Sequence, residues 1–134
     1  MNPMTVKTRS RTDFINIDGL VREAVREAGL SDGAISVFVP HTTAGITINE
    51  NADPDVLADM ETVLDRMVPW TGGYRHGEGN TAAHVKASMM GSSVQVHVSG
   101  GELQLGTWQS VFFCEFDGPR TRQVWMKEFS LNEE

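Results

Sequence analysis

Short extended segments that follow one another without an intervening helix constrain this chain more than any other feature. Thr5–Arg9 (TVKTR) and Asp13–Ile17 (DFINI) come in succession at the start, with a turn expected at Ser10–Arg11. Ala34–Pro40 (AISVFVP) and Gly45–Asn49 (GITIN) come in succession in the middle. Ser92–Val98 (SSVQVHV), Leu103–Leu105, Val111–Phe116 (VFFCEF) and Arg122–Phe129 crowd the last third. Strands joined by short connections pair antiparallel, because a parallel pair needs a crossover of a dozen or more residues. The reading is therefore α+β: seven or eight strands in a mostly antiparallel β-sandwich, with about three helices.

The helices are marked by period and punctuation. Asp18 opens the first, where Leu20, Val21, Ala24, Val25 and Ala28 recur at helical spacing and Gly29 stops it. Asp53 and Pro54 have the chemistry of an N-cap and a first helical residue. Val56, Leu57, Met60, Leu64 and Met67 are expected on the core side of that helix, and Pro69 closes it. Asn80 or Thr81 is expected to cap the third helix, which runs to a left-handed stop at Gly91. Ala34–Pro40 shows little polar alternation and reads as a central strand buried on both faces. Ser92–Val98 alternates well, which turns His97 to solvent or a subunit contact. Cys114, inside VFFCEF, reads as a small core residue rather than a nucleophile. Ser130–Glu134 reads as a frayed tail.

Size and charge limit the function. The 134 residues suffice for one domain with a real core, and no repeat or linker divides them. A formal net charge of −7, without a run of Lys or Arg, argues against nucleic acid and anionic membranes as partners. No apolar run approaches the roughly 20 residues of a membrane span. The first residues lack the apolar core of a signal peptide, and a lone cysteine forms no internal disulfide. These observations point to a cytoplasmic protein. Walker loops, dinucleotide fingerprints, paired-cysteine zinc motifs and Gly-x-Ser-x-Gly elbows do not occur.

Three polar clusters lie where elements end, which is where rigid strands deliver side chains for chemistry. They are His41-Thr42-Thr43, the run from Asn49 and Glu50 to Asp53, and the stretch Tyr74–Gly91 (YRHGEGNTAAHVKASMMG) with His76, Asn80, His84 and Lys86. Lys86 sits about 200° around the helix from His84, so the two need not face one way. Two chemistries remain open. In one, His41, His76 and His84 hold a divalent metal, with Glu50 or Asp53 as ligand or base. Three imidazoles suit zinc, while magnesium or manganese would accompany a phosphorylated substrate. In the other, Lys86, Arg120 and the free N–H groups at the helix start hold a phosphate, while a histidine and a carboxylate move protons. The plain alternative is that Glu50 and Asp53 cap a helix and His41 satisfies a turn.

The segments HTTAGITINENADPDV, YRHGEGNTAAHVKASMMGSS and GTWQSVFFCEFDGPRTRQV, in this order, closely resemble the YjbQ family over about Thr5 to Met126. The resemblance implies a single YjbQ-like domain over 1–134, a small α+β β-sandwich that assembles as a homotrimer. The family's polar positions fall on His41, Thr42, Thr43, Asn49, Glu50, Asp53, His76, Asn80, His84, Lys86, Thr107, Trp108, Gln109, Glu115, Asp117 and Arg120. From these, Glu50, Asp53, His84 and Lys86 are the candidate catalytic residues. Thr42, Thr43, Asn49, Asn80, Trp108, Gln109 and Arg120 are the candidate substrate- or anion-binding residues. The family is also catalogued as secondary thiamine-phosphate synthase, which joins a thiazole phosphate to a hydroxymethylpyrimidine diphosphate and releases pyrophosphate. The implied activity is thus that of a transferase on a small phosphorylated metabolite. A metal-dependent hydrolase and a non-catalytic binder of small anions are the alternatives.

Overall fold

A computed structural model describes residues 2–131. Among them the chain forms eight strands and three helices. In order these are β1 (Asn2–Lys7), β2 (Asp13–Asn16), α1 (Asp18–Ala28), β3 (Asp32–Phe38), β4 (Ala44–Glu50), α2 (Pro54–Met67) and α3 (Thr81–Met90). Then come β5 (Ser93–Ser99), β6 (Glu102–Leu103), β7 (Gln109–Glu115) and β8 (Thr121–Ser130). The strands make a five-stranded sheet, β1-β8-β3-β5-β6, and a three-stranded sheet, β2-β7-β4. Every pairing is antiparallel. Ser130 belongs to β8 rather than to a frayed tail, and the last three residues of that expected tail, 132–134, lie outside the described residues.

Two cores follow from the period-2 alternation of the strands. Val111 and Phe113 of β7 and Ile46 of β4 face Ile35, Val37, Val96, Val98 and Val124 of the larger sheet. Helix α1 adds Val21, Ala24 and Val25 to this inner core. The alternate residues of β7, Phe112 and Cys114, point the other way and meet Ala83 and Ala87 of α3 and Leu64 of α2. The layers are therefore the five-stranded sheet, the three-stranded sheet and the α2–α3 pair.

Several expectations need correction. β1 and β2 do not form a hairpin across Ser10–Arg11, because they lie in different sheets. β3 is central but only one of its faces is covered: Ile35 and Val37 are buried while Phe38 is 39% exposed. No described helix lies on the outer face of the larger sheet, where Phe38 stacks near Trp125, ring centres 5.8 Å apart. His97 is exposed on that face, as the alternation predicts. On α2 only Leu64 is buried, and Met67 is 63% exposed, because α2 touches the sheet along a narrow stripe shared with α3.

The helix ends also differ in part. Asp53 caps α2 as its chemistry predicts, its side chain accepting from the Asp55 N–H at 2.9 Å. Asp18 instead reaches across to the sheet, accepting the Val111 N–H at 2.7 Å. Asn80 does not cap α3 either; its amide has a partner in the site described next. Gly91 ends α3 at φ 92 and ψ 169, an extended glycine conformation rather than the left-handed helical one.

Three connections cross between the sheets at the same end of the sandwich. They are 8–12 after β1, 39–43 after β3 and 116–120 after β7. Backbone hydrogen bonds tie them together: Thr8 N–H to the Arg120 carbonyl, Phe116 N–H to Thr43, and Gly118 N–H to Arg11. The approach is close enough that a Cβ at Gly118 would lie 2.4 Å from the Ser10 carbonyl oxygen, so a glycine is required there.

Candidate functional site

The gathered crossings bring side chains from distant parts of the chain to one place. The connection after β3 supplies His41, Thr42 and Thr43. The one after β7 supplies Asp117 and Arg120. Helix α3 lies over β4 and supplies Asn80 and His84. Its approach depends on Gly45, where a Cβ would stand 2.8 Å from the Gly91 carbonyl oxygen. Two cavities, of about 480 Å³ and about 300 Å³, share His41, Thr42 and His84 among their walls. The smaller one is also lined by Thr43, Glu78, Asn80, Asp117, Arg120 and Arg122.

A buried ion pair supports this cavity from below. Glu115 and Arg122 are 0% and 4% exposed, respectively. The Arg122 guanidinium donates to both Glu115 oxygens and, at 2.7 Å, to the Thr43 hydroxyl. Thr8 donates its hydroxyl to Glu115 Oε1 at 2.8 Å and accepts the Arg120 N–H at 2.9 Å. Burial alone would raise the pKa of Glu115. Hydrogen bonds from Arg122, the Asp117 N–H and Thr8, with the guanidinium charge, outweigh burial and hold it below the ordinary carboxylate value.

Above the pair, Asp117 Oδ2 receives two donors: the Asn80 amide at 2.9 Å and the Arg120 guanidinium at 2.9 Å. Asn80 Oδ1 and Thr81 Oγ1 are buried at the start of α3 with no hydrogen-bond partner. His41 Nε2 accepts the Gln123 backbone N–H at 2.9 Å. That bond requires an unprotonated Nε2, so the neutral ring carries its proton on Nδ1. Burial, and after it the Arg122 charge, lowers the His41 pKa. His41 is thus a neutral imidazole offering an N–H from Nδ1, which has no partner among the described residues.

His76 does not line these cavities. It packs edge-on to His84 with ring centres 5.4 Å apart, and its Nε2 is 3.5 Å from Glu78 Oε1. The contact brings two of the three imidazoles expected at a metal side by side. His41 does not fit as the third ligand while Gln123 occupies its lone pair. Among the described residues no group of three or more His, Cys, Asp or Glu side chains could hold a metal ion.

Other expected site residues stand elsewhere. Asn49 and Glu50 end β4, whose first residue, Ala44, adjoins the cavity; six residues of strand place them roughly 20 Å away. Gln109 pairs with Glu50, and its side chain accepts the Gly106 N–H at 2.8 Å within its own turn. Trp108 beside it is 63% exposed. Asp53 caps α2 at that same far end. Lys86 is buried on another face of α3 and pairs with Asp65. Its cavity is a different one, so Lys86, Glu50 and Asp53 do not join His84 within one chain.

Sequence reasoning passed over Arg122, Glu78 and Thr8. Arg122 carried a usable signal: it shares strand parity with Val124 and Met126, so it is a charge at an inward-facing position. Glu115 is the matching anomaly in VFFCEF and entered only through the family resemblance.

Known proteins agree on the family. The sequence model described as UPF0047 protein YjbQ-like matches residues 2–130. UPF0047 protein YugU of Bacillus subtilis is 51% identical over 128 residues, covering 95% of this chain and 97% of its own. UPF0047 protein YjbQ of Escherichia coli O157:H7 is 34% identical, with 84% of this chain and 83% of its own covered. The crystal structure of an uncharacterized conserved protein of the same family from Clostridium acetobutylicum is 54% identical and superposes with a TM-score of 0.94, covering 96% of this chain and 100% of that one. A hypothetical protein from Aeropyrum pernix K1 superposes at 0.90 with 35% identity, over 96% of this chain and 97% of its own. Among the described residues no helix is long and apolar enough to cross a membrane. With the fold, the three sequence segments and these relatives in accord, the chain belongs to the YjbQ-like UPF0047 family.

Proposed function

We propose that this protein is a cytoplasmic enzyme acting on a small phosphorylated metabolite in the cavity between His41, His84 and Arg120. One observation carries the reading: two sheet crossings and the start of α3 line that cavity over a buried Glu115–Arg122 pair, to which the third crossing is tied through Thr8. Such a pair is costly to bury, and it fixes the groups above it. Arg120 is half-exposed and offers its guanidinium to an anion. The uncapped start of α3 adds a partial positive charge beside Arg120. His84, with no hydrogen bond on its ring among the described residues, is free to carry a proton. His41 donates from Nδ1 to an oxygen that gains charge in the reaction.

Thiamine-phosphate synthase activity is the candidate reaction that the family resemblance suggests. Expelling pyrophosphate requires cations on the leaving group, a role for Arg120 and the start of α3. The test is steady-state formation of thiamine phosphate from the thiazole phosphate and the pyrimidine diphosphate. His84→Ala should lose turnover by roughly a hundredfold or more, as removal of a general acid–base group does. Arg120→Ala should act through substrate affinity. Wild-type turnover that survives both substitutions would remove the assignment. A protein that binds pyrophosphate without turning over either substrate would be a binder of anions.

The His76–His84 spacing favours a second reading, a metal-dependent hydrolase of a phosphorylated metabolite. His76 and His84 would hold the zinc or manganese, and the ion would supply Lewis-acid chemistry to a phosphoryl oxygen. Elemental analysis of untagged protein purified without chelator tests it. About one ion per chain, lost in the His76→Ala, His84→Ala double variant, is the outcome that this reading requires.

The same proposal extends to a homotrimer. Phe38, Trp125 and Phe129 leave an apolar strip on the uncovered face of the larger sheet. A neighbouring copy would also bring groups such as Trp108 and Glu50, remote within one chain, toward another chain's His84. Sedimentation at working concentration reads this directly, and a monomer would remove it.

A further inference from the structure

A third cavity, of about 510 Å³, lies on the side of α3 away from His84, between the 8–12 crossing and the end of α2. Arg11, Glu61, Asp65, Trp70 and Lys86 line it. We propose that it binds a small zwitterion of the α-amino-acid class, independently of the histidine site.

The argument starts from charge. The walls carry two cations and two carboxylates, so neither a simple anion nor a simple cation is favoured by the net field. Only one pair is matched. The Lys86 ammonium, with its side chain 5% exposed, donates to Asp65, whose side chain is 56% exposed. An ammonium has three donor hydrogens, and no second acceptor for Lys86 is found among the described residues. A buried cation with unused donors is costly unless something accepts from it.

Arg11 and Glu61 are the unmatched pair. The Arg11 guanidinium stacks over the Trp70 ring, its central carbon 4.1 Å from the ring centre, and makes no ion pair among the described residues. Stacking fixes the plane of the guanidinium yet leaves its edge N–H groups free for a carboxylate. Glu61 stands one helical turn before Asp65 on α2, on the same face, and makes no ion pair among the described residues. Arg11 and Glu61 thus share a cavity without touching each other. A ligand carboxylate meets Arg11 and the spare donors of Lys86. A ligand ammonium meets Glu61 and the exposed side of Asp65. Trp70 gives the ligand side chain an apolar wall. Simple phosphates and polyamines satisfy only half of these groups.

The test is protein-observed NMR on the full chain with the standard free amino acids. At least one should cause saturable shifts at the amides of residues 10–12, 61–70 and 85–87. Arg11→Ala and Glu61→Gln alter exposed or half-exposed side chains, so both should fold. Each should weaken that binding by roughly tenfold or more, the loss that follows a charged hydrogen bond. The N-acetyl derivative and the carboxamide of the same amino acid should weaken it comparably. Shifts absent with every amino acid, binding unchanged in both variants, or equal binding of the N-acetyl derivative would each overturn the proposal. Turnover at the histidine site is not needed for any of these readings.

Discussion

Glu115 and Arg122 meet across the sandwich. Glu115 is the last residue of β7 in the three-stranded sheet, and Arg122 is the second of β8 in the five-stranded sheet. Both occupy inward-facing positions, and their ion pair closes the end of the inner core where the chain crosses between sheets. The pair also reaches Thr8 and Thr43, so three crossings converge on one buried charge pair.

Removing one partner should therefore be severe. Glu115→Ala leaves a buried guanidinium without its counter-charge, for which a loss of about 3–5 kcal/mol is expected. Replacing both, as Glu115→Leu with Arg122→Met, should destabilise less than either single change, because no uncompensated charge remains. Urea unfolding of the three variants checks this. A single variant within about 0.5 kcal/mol of the parent, as typical of surface positions, would show that the pair does not hold the sheets.

Stability should fall on acidification in two stages. His41 has a pKa below its ordinary value of about 6.5, so below that pH the unfolded chain takes up a proton that the folded chain resists. Its contribution is present above pH about 6.5 and is lost as the pH falls toward the folded value. Glu115 is likewise lowered, and its contribution is lost as the pH falls below about 4.3 toward its folded value. Urea midpoints measured across this range should decline in the upper window for the parent and stay flat there for His41→Gln. An identical upper slope in both proteins would contradict the placement of His41.

Gly45 sets the seat of α3. An alanine there would meet the Gly91 carbonyl oxygen at 2.8 Å and Met90 Cβ at 3.0 Å. Gly45→Ala should cost about 1–3 kcal/mol, the usual range for overpacking. It should also move the helix that carries His84, so under the proposed function turnover per folded molecule should drop together with stability. Full turnover in a destabilised variant would separate the seat of α3 from the site.

Cys114 is 0% exposed, and burial pushes its thiol up to about 12. At neutral pH it should resist alkylation in the native protein and react readily in urea, where the thiol is exposed. Native labelling at the unfolded rate would mean that the layer between α3 and β7 opens freely.

Much of this architecture is legible in the residues. Period-2 strands such as SVQVHV and capping signals such as Asp53-Pro54 are local, and they survive in the structure. Long-range partners are not local. TVKTR and DFINI look like a hairpin because nothing in their residues says that the chain changes sheets between them. Asn80 has the chemistry of a cap, but its Nδ2 donates to Asp117, 37 residues on, and its Oδ1 caps nothing. Lys86 and His84, about 200° apart around the helix, line different cavities. Asn49, Glu50 and Asp53 follow His41 closely in sequence, yet the length of β4 carries them away. That polar residues gather at strand ends is legible in the sequence; which of those ends lie together is not.

The central claim is that His41, Asn80, His84, Asp117 and Arg120 form one anion-binding, proton-moving site. NMR titration of the full chain with pyrophosphate tests it most directly. Saturable shifts confined to residues 41–43, 78–84 and 117–122, and abolished by Arg120→Ala, are the predicted result. Shifts centred on 49–53 and 107–109, or around Lys86, or no shifts at all, would contradict it.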